Sequence, residues 1–182
     1  MVLDGEVRKQ LSSLEREFYA LRSRLAGMGA STEELPAEGR VTYLACRVGD
    51  DRAGLLLDTV EEVVPIAKLA ALPEAPPWVA GLLNLRGESL PVLDVHARLT
   101  RARRRPLLED LVVICRWNGR RVGLVVQAVD EVSETDVDAI QSPGDVPHAP
   151  YLLGVVRRDA DLIVILSLDC LLSLSEIPGE EE

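Results

Sequence analysis

The feature that most narrows the folds open to this chain is an internal repeat. Cys46-Arg47, Arg52, Gly54-Leu55, Val60 and Glu62-Val63 recur as Cys115-Arg116, Arg121, Gly123-Leu124, Val129 and Glu131-Val132, each 69 positions later. Pro77-Trp78-Val79-Ala80-Gly81 then recurs as Pro150-Tyr151-Leu152-Leu153-Gly154 at an offset of 73, and Leu93-Asp94 as Leu168-Asp169 at 75. A period of roughly 70 residues is too long for a solenoid unit and suits a small barrel of about five strands.

The local pattern agrees. Apolar alternation and β-branched runs predict strands over Val41–Val48, Ala53–Asp58, Val60–Pro65, Val79–Leu85 and Ser89–Leu93. Gly49-Asp50-Asp51 and Gly87-Glu88 supply hairpin turns. The expected fold is mainly β, with two five-stranded barrel subdomains at about 41–106 and 107–174, sharing a core and leaving a groove between them.

Ahead of the repeat, Val7, Leu11, Leu14, Phe18, Leu21, Leu25 and Met28 are spaced 4, 3, 4, 3, 4, 3, the seam of an amphipathic helix over residues 1–28. Leu14, Phe18, Leu21 and Leu25 are the candidate contacts for self-association or for a partner. Residues 29–40 read as a linker of small, polar and helix-breaking residues, and 175–182 as an acidic tail.

Charge and composition exclude several classes of function. The net charge is −10, and residues 107–182 alone carry 15 acidic and 5 basic side chains, which argues against non-specific nucleic-acid binding there. The dense basic stretch is Arg101, Arg103, Arg104 and Arg105, and none of the chain's six aromatics flanks it. A nucleic-acid binder working through this loop is the alternative reading, weakened by the missing stacking groups. The apolar runs are too short to cross a bilayer, and MVLDGEVRKQ lacks the pattern of a secretory leader, so a cytoplasmic location is expected. Cys46, Cys115 and Cys170 have no CxxC spacing and read as small buried residues, not as a disulfide or metal framework.

No enzyme class is favoured, and serine, histidine and acid are too sparse for a triad to be picked out, which leaves a hydrolase as a weak reading only. Leu55-Leu-Leu-Asp58-Thr59 in a duplicated β chain invites comparison with aspartic proteases, in which each half contributes a carboxylate. Here Val60 replaces the glycine after Asp-Thr, and the position 69 residues after Asp58 is Gln127, so no dyad forms. Asp94 and Asp169 each follow a strand and precede a short apolar segment, and both read as helix caps. Glycine-rich phosphate loops and HExxH are absent from the sequence. No catalytic residue, cofactor or metal site is predicted.

The two copies differ at one turn. Copy one reads Gly81-Leu-Leu-Asn84-Leu-Arg86-Gly87-Glu88-Ser-Leu-Pro91-Val-Leu-Asp94, and copy two places Arg157-Arg158-Asp159-Ala160-Asp161 there. Asn84, Arg86, Gly87 and Pro91 belong to the first copy alone, the asymmetry expected when a function is added to one half of a duplicated scaffold.

The string from Val79 to Asp94 closely resembles the signature of the CheW domain, as do Val60-Glu61-Glu62-Val63-Val64 and the closing Leu162-Ile-Val-Ile-Leu-Ser-Leu-Asp-Cys-Leu-Leu172. The resemblance spans roughly residues 41–174. It implies two five-stranded, SH3-like barrels and a non-enzymatic adaptor that joins a CheA-type histidine kinase to the signalling tip of methyl-accepting chemoreceptors. By the same resemblance Val60, Glu62, Val63, Gly81, Asn84, Arg86 and Gly87 are the candidate receptor-binding residues. An Arg86–Glu62 pair is physically plausible, since a guanidinium holds a carboxylate with two parallel bonds. The same domain occurs in the CheA kinase and in CheV proteins. A phosphotransfer histidine helix is not expected around His96 or His148, and no length remains for a receiver domain, so the stand-alone adaptor is the expected type.

Overall fold

The structure is a computed structural model and describes residues 33–173. The expected helix over 1–28, with Leu14, Phe18, Leu21 and Leu25, lies outside the described residues, as does the tail.

The chain runs β1 (Arg40–Val48), β2 (Asp51–Leu56), β3 (Val60–Pro65), β4 (Val79–Leu85), β5 (Glu88–Asp94), α1 (Val95–Thr100), β6 (Leu111–Trp117), β7 (Arg120–Val126), β8 (Ala128–Asp136), β9 (Ile140–Gln141), β10 (Leu152–Arg158), β11 (Asp161–Leu166) and α2 (Leu168–Leu172). The architecture is mainly β, as the sequence predicts, and β3 and β4 match their expected bounds.

The strands form two sheets, ordered β8-β1-β2-β11-β10-β9 and β3-β6-β7-β5-β4. Each sheet therefore combines the first two strands of one repeat with the later strands of the other. The expected contiguous subdomains, 41–106 and 107–174, are not the division between the sheets. The reason lies in two short crossings. The 3-10 turn Leu57–Thr59 carries the chain from β2 out of the first sheet, and Gln127 alone carries it from β7 back. In both sheets the exchanged hairpin is joined by a parallel pair, β11 on β2 and β5 on β7, among otherwise antiparallel neighbours.

Both sheets close in the same way. Ala70, downstream of β3, exchanges two backbone hydrogen bonds with Leu82 on β4, and β9, downstream of β8, pairs with β10. Gly81 and Gly154 permit these closures. A Cβ at Gly81, where φ is +144°, would lie 2.5 Å from the Ala70 carbonyl oxygen, and one at Gly154 would lie 2.4 Å from an Ile140 methyl.

The parallel pairing also corrects the repeat register. Val92 lies beside Gly123 and Ile165 beside Gly54, so the later strands are offset by 73 throughout, and Asp94 corresponds to Ser167 rather than Asp169. The Leu-Asp match at 75 is coincidental. Asp94 Oδ1 accepts the Ala97 N–H at 3.0 Å and caps α1, whereas α2 is capped by the Ser167 hydroxyl, which accepts the Cys170 N–H at 3.2 Å.

Each sheet wraps its own apolar core. Tyr43, Ala45, Leu56, Val156, Ile163 and Ile165 fill the first, and Leu83, Leu90, Val92, Val112, Ile114 and Val125 fill the second. The alternate residues on the central strands, among them Leu44, Cys46, Val113, Cys115 and Leu124, are also buried, so these strands are apolar on both faces. Burial pushes the Cys46 and Cys115 thiols up to about 12, and the nearby Cys115 adds to the effect on Cys46. At the joint between the repeats, the Arg98 guanidinium on α1 stacks on Trp78 and on its repeat equivalent Tyr151, with its carbon 4.4 and 5.2 Å from the two ring centroids. Its Nε donates to the Leu171 carbonyl at 2.9 Å, tying α1 to α2.

Candidate functional site

The β4–β5 hairpin turns on Arg86 and Gly87, with φ of +52° and +85°. Two successive positive φ values match the right-handed twist of the strands, and Gly87 accepts its value at no steric cost. Asn84 Oδ1 accepts the Gly87 N–H at 3.0 Å and holds the bend. Arginine is unusual in the left-handed region. In the second copy Asp159 occupies the same conformation at φ +54°, so the backbone does not require arginine there.

What arginine adds is a side chain that reaches β3. Arg86 Nη1 donates to Glu62 Oε1 at 3.1 Å and Nη2 to Oε2 at 3.0 Å, the two-pronged geometry a guanidinium and a carboxylate allow. The arginine is 72% exposed and the glutamate 26%. An exposed pair of this kind contributes about 0–1 kcal/mol to stability, so its value lies in shape and charge.

Glu62 is itself held from below. A β-bulge at Glu61, where Val60 pairs with Cys115 and Glu62 with Ile114, brings two consecutive carboxylates to one arginine. Arg121 on β7 donates to Glu61 at 2.7 Å, to Glu62 at 2.9 Å and to Glu88 on β5 at 2.8 Å. Arg116 on β6 also pairs with Glu61. These hydrogen bonds, that of Arg116 foremost, hold the Glu61 carboxyl below the usual range, and the Glu88 and Glu61 carboxylates raise the Arg121 guanidinium. Sequence reasoning did not single out Arg121, Arg116, Glu61 or Glu88 as site residues. The signal available was the recurrence of Arg52 as Arg121 and of Arg47 as Arg116.

The structure thus brings Glu62, Asn84, Arg86 and Gly87 together, with Val60 and Val63 on β3, the strand that carries Glu62, and Val63 38% exposed. Gly81 is buried where the sheet closes, and its role is in packing rather than at an exposed surface. Nor does the second copy lack an arginine–glutamate pair. Arg158, one position before Asp159, donates to Glu131 at 2.9 Å and to the Ser133 hydroxyl at 2.6 Å.

The basic loop is partly structural. Arg104 pairs with Asp110 at 2.5 Å and with Asp94 at 3.4 Å, and Asp110 also accepts the Leu107 N–H at 2.7 Å. Arg103 and Arg105 are exposed.

Comparison with known proteins identifies the family. The CheW-like domain family matches residues 42–176. This chain belongs to the CheW family. It is 30% identical over 141 residues to the chemotaxis protein CheW of Rhizobium meliloti, an alignment covering 76% of this chain and 88% of that protein. It is 32% identical over 121 residues to protein FrzA of Myxococcus xanthus, covering 65% and 76%. Its fold is similar to the crystal structure of the scaffolding protein TtCheW from Thermoanaerobacter tengcongensis, with a TM-score of 0.67 and 27% identity, covering 84% of this chain and 97% of that one. Membership of the CheW family does not favour the nucleic-acid reading of Arg101–Arg105. Among the described residues no helix is long and apolar enough to cross a membrane.

Proposed function

We propose that this chain is a non-enzymatic, cytoplasmic chemotaxis adaptor that couples a CheA-type histidine kinase to the signalling tip of methyl-accepting chemoreceptors. Its receptor face is Val60, Glu62 and Val63 on β3 with Asn84, Arg86 and Gly87 at the β4–β5 turn. Membership of the CheW family supports the adaptor role. The observation that carries the receptor face is Arg86, which occupies a backbone conformation unfavourable to arginine yet projects an exposed guanidinium anchored on Glu62.

Titration of the purified chain with a receptor signalling-tip fragment tests this. Arg86→Ala weakens binding tenfold or more, equivalent to about 1.4 kcal/mol, while unfolding shifts by less than about 1 kcal/mol. Kinase binding changes less. Glu62→Ala behaves similarly, and the double variant loses less than the sum of the singles because the two side chains act as a unit. Unchanged receptor affinity in a folded Arg86→Ala chain refutes the assignment.

A further inference from the structure

The sequence predicts a plain linker before β1, yet residues 33–39 are fastened to the body at three points. Glu33 Oε2 accepts the Leu168 N–H at 2.7 Å, the Asp169 N–H at 3.4 Å and the Ser167 hydroxyl at 3.3 Å. Leu35 packs on the core of the first sheet, and the Gly39 carbonyl accepts the Val137 N–H at 2.9 Å. The first fastening is reciprocal, because the Glu33 N–H donates to Asp169 Oδ2 at 2.7 Å. Asp169 Oδ1 in turn accepts the Trp117 indole N–H at 2.5 Å.

This contact carries an internal conflict. The backbone and hydroxyl donors of α2 favour a charged Glu33. The same geometry sets its carboxylate beside that of Asp169 and leaves Glu33 Oε1 buried with no hydrogen-bond partner among the described residues. A proton on Glu33 removes the repulsion and leaves Oε2 free to go on accepting. We propose that residues 33–39 form a proton-tightened strap, which closes on α2 when Glu33 takes up a proton and loosens when it loses one.

Burial, with the Asp169 charge adding to it, raises the Glu33 carboxyl above its ordinary 4.5. The facing titratable groups are Asp169 on α2 and the Cys115 thiol on β6, which feels the Glu33 charge. A released strap titrates at the ordinary value. The strapped state therefore gains its full proton-linked stability below 4.5 and loses it as pH rises through the raised value.

Hydrogen exchange of the Leu168 and Asp169 amides in the full chain reads the strap directly. After correction for intrinsic exchange, with Leu124 on β7 as an internal reference, protection of both amides is greater at pH 5 than at pH 8. Glu33→Gln, which keeps an acceptor oxygen and removes the charge, makes protection flat with pH at whatever level it settles. A wild-type chain whose protection does not change with pH overturns the proposal, as does a Glu33→Gln chain that keeps the dependence.

Discussion

The two sheets answer the same problem with different residues. In the second sheet Arg121 gathers Glu61, Glu62 and Glu88; in the first, its repeat equivalent Arg52 bonds Asp130 and Asp161, which stand where Glu61 and Glu88 stand. Both acids next to the crossing sit at bulges, Glu61 in β3 and Asp130 in β8. The glutamate one place further along, Glu62 or Glu131, is then gripped by an arginine from the opposite hairpin. In one half that arginine is Arg86 on the turn itself; in the other it is Arg158 on the strand before it. The lattice beneath is shared, and what differs is how far the topmost guanidinium stands out. A duplicated scaffold can specialise one end by moving a single side chain by one position, while the arginine beneath keeps its pairs to the bulge acid and to the acid opposite.

The strongest way to break this comparison is to separate the repeats. Because each sheet needs strands from both, residues 33–106 and 107–173 expressed apart should each lack a cooperative unfolding transition in urea, and mixing them should restore one. A half that melts cooperatively alone would mean the exchange is dispensable. The next effect concerns the equivalent thiols Cys46 and Cys115. Unfolded thiols ionise near the ordinary 9.0 while the folded ones hold their protons to about 12, so stability is intact below pH 9 and falls above it. At pH 10.5 the loss is about 2 kcal/mol per thiol, and urea midpoints of a Cys46→Ala, Cys115→Ala chain should fall less steeply between pH 9 and 10.5. The smallest effect tests the turn. Arg86→Asn exchanges a weak ion pair for a residue that tolerates positive φ, so unfolding should stay within about 0.5 kcal/mol of wild type. A loss of several times that would make Arg86 a structural residue, unlike Asp159.

Much of the fold was legible because its causes are local. Alternating apolar residues and turn glycines mark β3 and β4, and the offset of 69 aligns Arg52 with Arg121. The strand exchange was not legible, because every local pattern reads the same whether a hairpin joins its own repeat or the other one. The parallel contacts of β5 with β7 and of β11 with β2 decide that, and they also set the offset of 73 against the misleading Leu-Asp match. Arg86 and Glu62 were readable through resemblance to a family. Arg121 beneath them was not, since a strand arginine carries no sign of how many carboxylates surround it. The strap was missed for a similar reason. Glu33 looks like one more polar linker residue until α2 is placed above it.

The exchanged strands also set a timetable for synthesis. β2 ends at Leu56, but its parallel neighbour β11 begins only at Asp161. At ribosomal speeds of about 5–20 residues per second, the nascent chain carries an open β2 edge for about 5–20 s. An unpaired edge is a template for pairing with other chains. Slow codons between positions 57 and 160 lengthen that exposure, so the yield of native protein depends on elongation speed through the middle of the message as well as on the stability of the finished fold.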